Sequence, residues 1–210
     1  MSLKTFSKTL FLLLSFAFAT RATYNYLTKK KKEEEREPRK IHEVIMFSYT
    51  DQETKKSKYS RCMISHSMDR LLHYLNQPQQ SLDICMYVWT NVDVTNAIIK
   101  LHHRGVKIRV IIDADMAFTS GSAIRRVEKH SIPYRWMKST NLMHHKFCLV
   151  DTLSENPLLS PYVITGSLNW TNQALCGNYE NCVITSEKLI VQQYQQEFER
   201  LWELFKPIVN

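Results

Sequence analysis

The 210-residue chain has no Cys-x-x-Cys pair, and its cysteines are odd in number: Cys62, Cys85, Cys148, Cys176 and Cys182. Such a set argues against a disulfide framework, and reduced thiols fit a cytosolic setting for the folded part. Cys85 and Cys148 stand in the apolar runs LDICMYVW and KFCLVD, where a cysteine serves as a small buried hydrophobe. Acidic residues are missing altogether from residues 1–32. No internal repeat is present, which excludes solenoid and array architectures.

What is present in excess is positive charge. The formal net charge of +8 favours anionic partners, either nucleic acid or acidic lipid headgroups. At the amino terminus Lys4 and Lys8 precede an apolar run at 10–19, Arg21 closes it, and a basic block at 29–32 is followed by an acidic one at 33–35. Three readings compete: a cleaved secretory signal, a marginal membrane span over about residues 6–27, and a mitochondrial address. The positive-inside tendency of residues 29–32 keeps the bulk of the chain cytosolic and favours an anchor. The chain therefore divides into a membrane anchor or targeting segment (1–28), a solvated charged linker (29–41) and one catalytic domain (42–210).

Within 42–210, strand and helix signals alternate. Residues 67–76 (SMDRLLHYLN) read as an amphipathic helix and 82–89 (LDICMYVW) as a strand buried on both faces. Asn91 or Asp93 caps a helix through His103, which Gly105 stops. The β-branched run 106–112 is the second strand; 120–130 is a helix and 132–137 a third strand. Further strands are expected at 146–150, 162–165 and 180–185, and a helix over 187–205 with its apolar stripe against the sheet. The fold class is α/β, a mixed β-sheet flanked by helices in a single domain behind the N-terminal anchor.

The chemistry concentrates in HHKFCLVD, His144 to Asp151, and in GSLN, Gly166 to Asn169. Residues two apart on a strand share a face, so His144 and Lys146 project together and His145 points away. Ser167 and Asn169 do the same if the chain there is extended. An imidazole, an ammonium, a hydroxyl and an amide then converge on one anionic group, an inventory that suits a phosphodiester. The ammonium and neutral donors stabilise the developing charge of the transition state, and imidazole forms a covalent intermediate. Displacement also needs an acid for the leaving oxygen. One chain carries one motif, whereas a homodimer offers His144 twice across a two-fold axis; His145 is the rival acid within one chain.

HHKFCLVD with GSLNWTNQA and NYEN resembles the HKD signature of the phospholipase D superfamily, and within it the single-motif Zucchini or mitochondrial cardiolipin hydrolase group. The resemblance covers most of 42–206, including LHHRGVKIRVIIDADM and EFERLWELF. It implies a phospholipase D-like fold and a metal-independent homodimeric phosphodiesterase on the mitochondrial outer membrane, its catalytic domain facing the cytosol. It further implies endonuclease action on RNA with proteins of the piRNA pathway, and a cardiolipin hydrolase activity. By residue, it makes His144 the nucleophile, Lys146 and Asn169 the phosphate-binding pair and Ser167 a further contact. Asp151 is the motif's acid, structural in role though counted with the catalytic set, and Glu180 orients a histidine, fixing its tautomer.

Two departures stand out. Residues 152–165 (TLSENPLLSPYVIT) exceed the usual family spacing, and an enlarged hairpin loop there is expected to alter the rim of the substrate groove. The structural zinc of some relatives has only Cys62 and His66 as a remnant, with Ser60 at a cysteine position, and two ligands do not close a tetrahedral site. No cofactor is therefore expected. Asn169-Trp170-Thr171 forms a glycosylation sequon that would block the phosphate site, which speaks against the secretory lumen.

For substrate, the first expectation is single-stranded RNA, cut to a 5′-phosphate and a 3′-hydroxyl. His102, His103, Arg104, Lys107, Arg125, Arg126, Lys129, Arg135 and Lys138 would track its backbone, and Tyr134, Trp136 and Trp170 would stack on bases. The second is cardiolipin in the anchoring membrane, cleaved to phosphatidic acid; a basic trough favours RNA and an apolar rim favours lipid. A catalytically silent scaffold is the third.

Overall fold

The computed structural model of the chain describes residues 3–34, 40–50 and 54–205, with the backbone alone for 3–13 and 31–34. It divides into two compact units, Met1–Arg39 and Lys40–Asn210. In the first, helix α1 spans Leu3–Glu34. Thr20, Thr23 and Thr28 donate to the carbonyls of Phe16, Ala19 and Tyr24 at 3.0, 2.8 and 2.8 Å, so these hydroxyls are satisfied within the helix. No helix among the described residues is long and apolar enough to cross a membrane. The linker at 35–39 and the domain's end at 206–210 lie outside the described residues.

The second unit runs β1 (His42–Phe47), β2 (Thr54–Lys56), β3 (Met63–Ser65), α2 (His66–Leu75), β4 (Ser81–Met86), α3 (Val92–His103), β5 (Lys107–Ile112), α4 (Ala114–Ala117), α5 (Ile124–Lys129), β6 (Tyr134–Arg135), β7 (Lys146–Val150), β8 (Tyr162–Gly166), α6 (Asn172–Cys176), β9 (Glu180–Thr185) and α7 (Lys188–Leu204). Strands β2 and β3 form a small ribbon; the other seven form one sheet in the order β1-β9-β8-β7-β4-β5-β6. Neighbours among β4, β5 and β6 are parallel and the remaining pairs antiparallel, the mixed α/β sheet expected.

Alternation along the central strands explains why both faces are covered. Ile84, Val110, Ile112, Cys148 and Val150 point to the side packed by Leu71, Leu75, Ile98 and Leu101 of α2 and α3. Cys85, Ile111, Phe147 and Leu149 point to the other side, against Val191, Phe198 and Leu201 of α7. Helix α7 is also held by charge: Arg109 donates to both oxygens of Asp83 at 2.7 Å and to Glu199 at 2.6 and 3.1 Å. Caps follow the sequence: Asn91 Oδ1 accepts from Val94 N at 2.9 Å, and Gly105, at φ +90°, ends α3.

Three elements are shorter than their patterns; the strand expected over 82–89 ends at Met86, where its ladder with β5 and β7 stops. The helix expected over 120–130 is only Ile124–Lys129, because Gly121 turns at φ +80° and Ala123 N bonds back to Trp89 O at 2.9 Å. The strand expected over 132–137 pairs at two residues only, since Pro133 can offer its carbonyl alone, to Val110 N at 3.0 Å.

Glu43 ties β1 to α2 through a forked pair with Arg70, at 2.7 and 2.6 Å. The Arg70 guanidinium holds the Glu43 carboxyl down, at about 2 against an ordinary 4.5. A value depressed by folding contributes stability in full above pH 4.5, and that contribution is lost as the pH falls toward 2. Acid titration followed by circular dichroism is expected to show Glu43→Gln less stable than wild type at neutral pH, with the gap closing near pH 2. A gap that persists unchanged across that range would remove the assignment.

Candidate active site

The site forms where β4, β5, β7 and β8 present neighbouring ends. Beyond its last ladder residue, Met86, β4 continues through Tyr87 to Trp89. Tyr87 N donates to His145 O at 2.9 Å, Trp170 N to Val88 O at 3.0 Å, and Thr90 N and Asn91 N both to Trp170 O at 2.9 Å. One stretch of backbone thereby joins both halves of the motif. Asp113, just past β5, caps α4 and accepts from Met143 N at 3.0 Å, fixing the residue before His144.

Lys146 opens β7 opposite Met86, and His144 stands two residues earlier, just outside the strand. Lys146 Nζ lies 3.2 Å from His144 Nδ1 and donates to His144 O at 3.0 Å. The His144 ring rests on Tyr87 with centroids 4.4 Å apart, and Lys146 Nζ is 5.3 Å from the centre of the same tyrosine ring. His145 turns away, its Nε2 3.3 Å from Glu197 Oε1, and Arg200 holds that carboxylate with two bonds of 2.8 Å. Between this trio and His144 opens a cavity of about 470 Å³ whose apolar wall includes Leu142, Met143, Leu201, Leu204 and Phe205.

Burial lowers the Lys146 ammonium below its ordinary 10.5, with the Glu180 carboxylate opposing the shift. The cation is the low-pH form, so it is lost at a lower pH than in free lysine. The alkaline limb of kcat/KM is expected to have its midpoint below 10.5, and Lys146→Arg to move that limb upward. Lys146→Ala is expected to weaken binding and to cost about 10²–10³-fold in rate. An alkaline limb identical in the arginine variant would show that another group titrates.

At the end of β8, Gly166 is required by close approach: a Cβ there would lie 2.8 Å from Cys182 Cα and nearer still to Asn181 O. Ser167 is thereby brought onto β9, where its Oγ donates to Glu180 and accepts from Asn181 N at 3.1 Å. The second oxygen of Glu180 accepts from Asn178 Nδ2 at 3.0 Å. Glu180 thus orients Ser167 and Asn178 within the chain; no bond from it to His144 forms. Asn169 is half-buried, and its Oδ1 is buried without a donor, an orphan of the kind found where a ligand or partner completes a site.

Several expected members lie elsewhere. Asp151 sits at the other end of β7, about 17 Å from Lys146 at the rise of a strand. It is 4% exposed and accepts from the backbone amides of Gln79, Gln80 and Ser81 at 3.0, 2.7 and 3.0 Å. The long 152–161 loop leaves from that same far end, so it does not rim the site. So do Lys107, opposite Ser81 in the register, and His102, His103 and Arg104, at the C-terminal end of α3. Arg135 stacks on Trp202 at 4.1 Å, Arg126 donates to Asn96, and Trp170 is 2% exposed against Trp89. Four of the nine residues expected to track a backbone, His102, His103, Arg104 and Lys107, therefore lie away from His144, and Trp170 is buried; charge counting had no way to assign them to an end of the sheet. Cys62 and His66 remain, but no group of three or more His, Cys, Asp or Glu among the described residues could hold a metal.

Tyr87, Asp113 and Glu197 were not legible as parts of the site. Tyr87 lay hidden in an apolar run, and only the start of α7 in the sequence pattern, not its crossing point, could be inferred for Glu197.

Comparison with known proteins shows the family and the fold. Residues 71–202 match the family model described as cardiolipin synthase, PLD-like domain. A Xenopus laevis protein named mitochondrial cardiolipin hydrolase is 34% identical over 202 residues, covering 93% of this chain and 89% of its own. A Chlamydomonas reinhardtii protein of the same name is 37% identical over 152 residues, 71% of this chain and 65% of its own length. Among solved structures, Nuc, a phospholipase D family member from Salmonella typhimurium, superposes with a TM-score of 0.60 at 20% identity, covering 79% of this chain and 95% of Nuc. NucT from Helicobacter pylori gives 0.62 at 19% identity, covering 79% and 97%; at such identities the likeness speaks for the fold. With an exposed histidine–lysine pair at the strand ends and a PLD-like domain matched over most of its length, the chain belongs to the phospholipase D superfamily and is a phosphodiesterase of that family.

Proposed function

We propose that the protein hydrolyses a phospholipid phosphodiester, that of cardiolipin, through a phosphohistidine at His144. The observation that carries the reading is the surroundings of the His144–Lys146 pair: a cavity walled in part by Leu142, Leu201 and Leu204 beside His144, and the basic residues His102, His103, Arg104 and Lys107 at the opposite end of the sheet. The name carried by the similar proteins supports the same substrate. The imidazole nitrogen attacks phosphorus as the bond to the leaving glycerol oxygen breaks. Lys146 and the side-chain N–H of Asn169 hold the non-bridging oxygens, while Ser167, whose one proton goes to Glu180, braces that end of β8. Water then attacks the phosphorus and breaks the P–N bond, releasing phosphatidic acid and free His144. The leaving oxygen takes its proton from His144 of a second copy in a homodimer, because His145 is turned to Glu197. Residues 1–28 anchor the chain at the mitochondrial outer membrane with the catalytic domain facing the cytosol; the relatives' name supports the mitochondrial address, and the basic block at 29–32 the orientation.

A second reading, cleavage of single-stranded RNA within piRNA maturation, is favoured by the net charge of +8. The test offers the full chain, with EDTA present, cardiolipin vesicles and labelled single-stranded RNA separately. Lipid turnover that exceeds RNA cleavage is expected; RNA cleavage without lipid turnover would install the nuclease in its place.

A further inference from the structure

Two groups on which the reaction depends, the His144 imidazole and the Lys146 ammonium, lie against one side chain to which the chemistry above gives no task. The Tyr87 and His144 ring centroids are 4.4 Å apart with the planes tilted by 51°, and Lys146 Nζ is 5.3 Å from the centre of the tyrosine ring. The backbone fixes Tyr87 on both sides. Its N donates to His145 O at 2.9 Å, and the carbonyl of Val88, the next residue, accepts from Trp170 N at 3.0 Å. Tyr87 is half-buried, whereas His144 is exposed just outside the start of β7. Glu180, the carboxylate expected to orient a histidine, is bonded to Ser167 and Asn178 instead. An imidazole so placed is aimed by what it rests on.

We infer that Tyr87 is a positioning residue of the site: its ring aims the His144 imidazole at phosphorus and stabilises the positive charge that the imidazole acquires on attack. The lone pair of one ring nitrogen forms the N–P bond, and the electrons of the breaking P–O bond leave with the departing oxygen. The other ring nitrogen keeps its proton, so the imidazole becomes a phosphoryl-imidazolium cation. A cation within about 6 Å of an aromatic centre is attracted to the ring's negative face. Tyr87 therefore holds His144 more strongly once the N–P bond forms than before, and only such a difference speeds the chemical step. The same ring attracts the Lys146 ammonium, so one side chain sets the relative position of nucleophile and phosphate-binding cation. The inference rests on His144 being the nucleophile, and it holds whichever diester is cleaved.

The test compares the full-length chain with Tyr87→Leu, Tyr87→Phe and His144→Asn on the soluble diester bis(p-nitrophenyl) phosphate, each rate taken per folded molecule by circular dichroism. Tyr87→Leu keeps an apolar side chain and every backbone bond but loses the ring. Its kcat is expected to fall about tenfold to a hundredfold, with KM changed by no more than about threefold. Tyr87→Phe, which keeps the ring, is expected to recover most of that loss. Pentafluorophenylalanine at the same position keeps the ring's shape but not its negative face; it is expected to be slow like leucine, and it gives the reading if the leucine protein does not fold. An unchanged kcat in the leucine or the pentafluoro protein would overturn the inference, as would a rise in KM alone, which would place Tyr87 in substrate binding. A Tyr87→Phe protein as slow as Tyr87→Leu would also overturn it, by assigning the effect to the hydroxyl. Activity retained in His144→Asn would remove the nucleophile and this inference together, whereas the Tyr87 outcomes leave the nucleophile standing.

Discussion

Replacing His144 by asparagine is expected to lower turnover by about four to six orders of magnitude, the loss seen when a covalent nucleophile is deleted. The side chain is exposed, rests on Tyr87 and bonds Lys146, which is itself reached by solvent, so its removal leaves no fully buried group unpaired. Stability should therefore change by no more than about 0.5 kcal/mol. Rate measurement on cardiolipin vesicles and on a soluble diester, alongside thermal denaturation, separates the two effects. His145→Asn is the instructive neighbour: it gives up the 3.3 Å contact to Glu197, on the other side of the chain, and should retain most of the activity. If the two variants exchanged phenotypes, the nucleophile would be His145 and the face argument would fail. A His144→Asn protein keeping more than about one hundredth of the wild-type rate would place the nucleophile outside the motif altogether.

Replacing Asp151 by alanine is expected to act on folding. The carboxylate collects the amides of three consecutive residues, Gln79, Gln80 and Ser81, at the entry to β4, while Asp151 N bonds to Ser81 O at 2.9 Å. It thereby sets where β4 begins relative to β7, and so the register that puts Met86 opposite Lys146. Removing a buried charged acceptor from several donors costs about 3–5 kcal/mol, and alanine meets further strain at φ +54°. Denaturant unfolding should show that loss, whereas the rate per folded molecule should change little, because Asp151 lies far from the reacting atoms. A stable Asp151→Ala protein with lost turnover would reverse this and return the residue to the catalytic set.

Much of the fold was legible because its signals are local. The run 82–89, apolar but for Asp83, became the fully buried β4 as far as Met86; Asn91, Gly105 and the stripe of 187–205 marked their helix ends through capping and periodicity. The misread pieces are those where a distant bond overrides local preference. Ala123 is drawn out of a helix by Trp89 O, and β6 pairs only at Tyr134 and Arg135, with Pro133 offering its carbonyl alone to Val110 N.

By itself the sequence determined the chemistry on offer: the two-residue spacing of His144 and Lys146 puts them on one face in any extended chain, and the downstream Gly-Ser-x-Asn supplies neutral donors. It also determined that Gly166 be glycine, although the reason, β9 pressed against it, is visible only in three dimensions. The tertiary structure alone decided which charges belong to the site. Strand direction and the return of α3 carry Asp151, Lys107 and the His102–His103 pair to the far end of the sheet, while α7, distant in sequence, brings Leu201, Leu204 and Glu197 beside His144. Residue types and short spacings are fixed by local geometry, but which end of a sheet a side chain occupies depends on topology, and no local pattern encodes it.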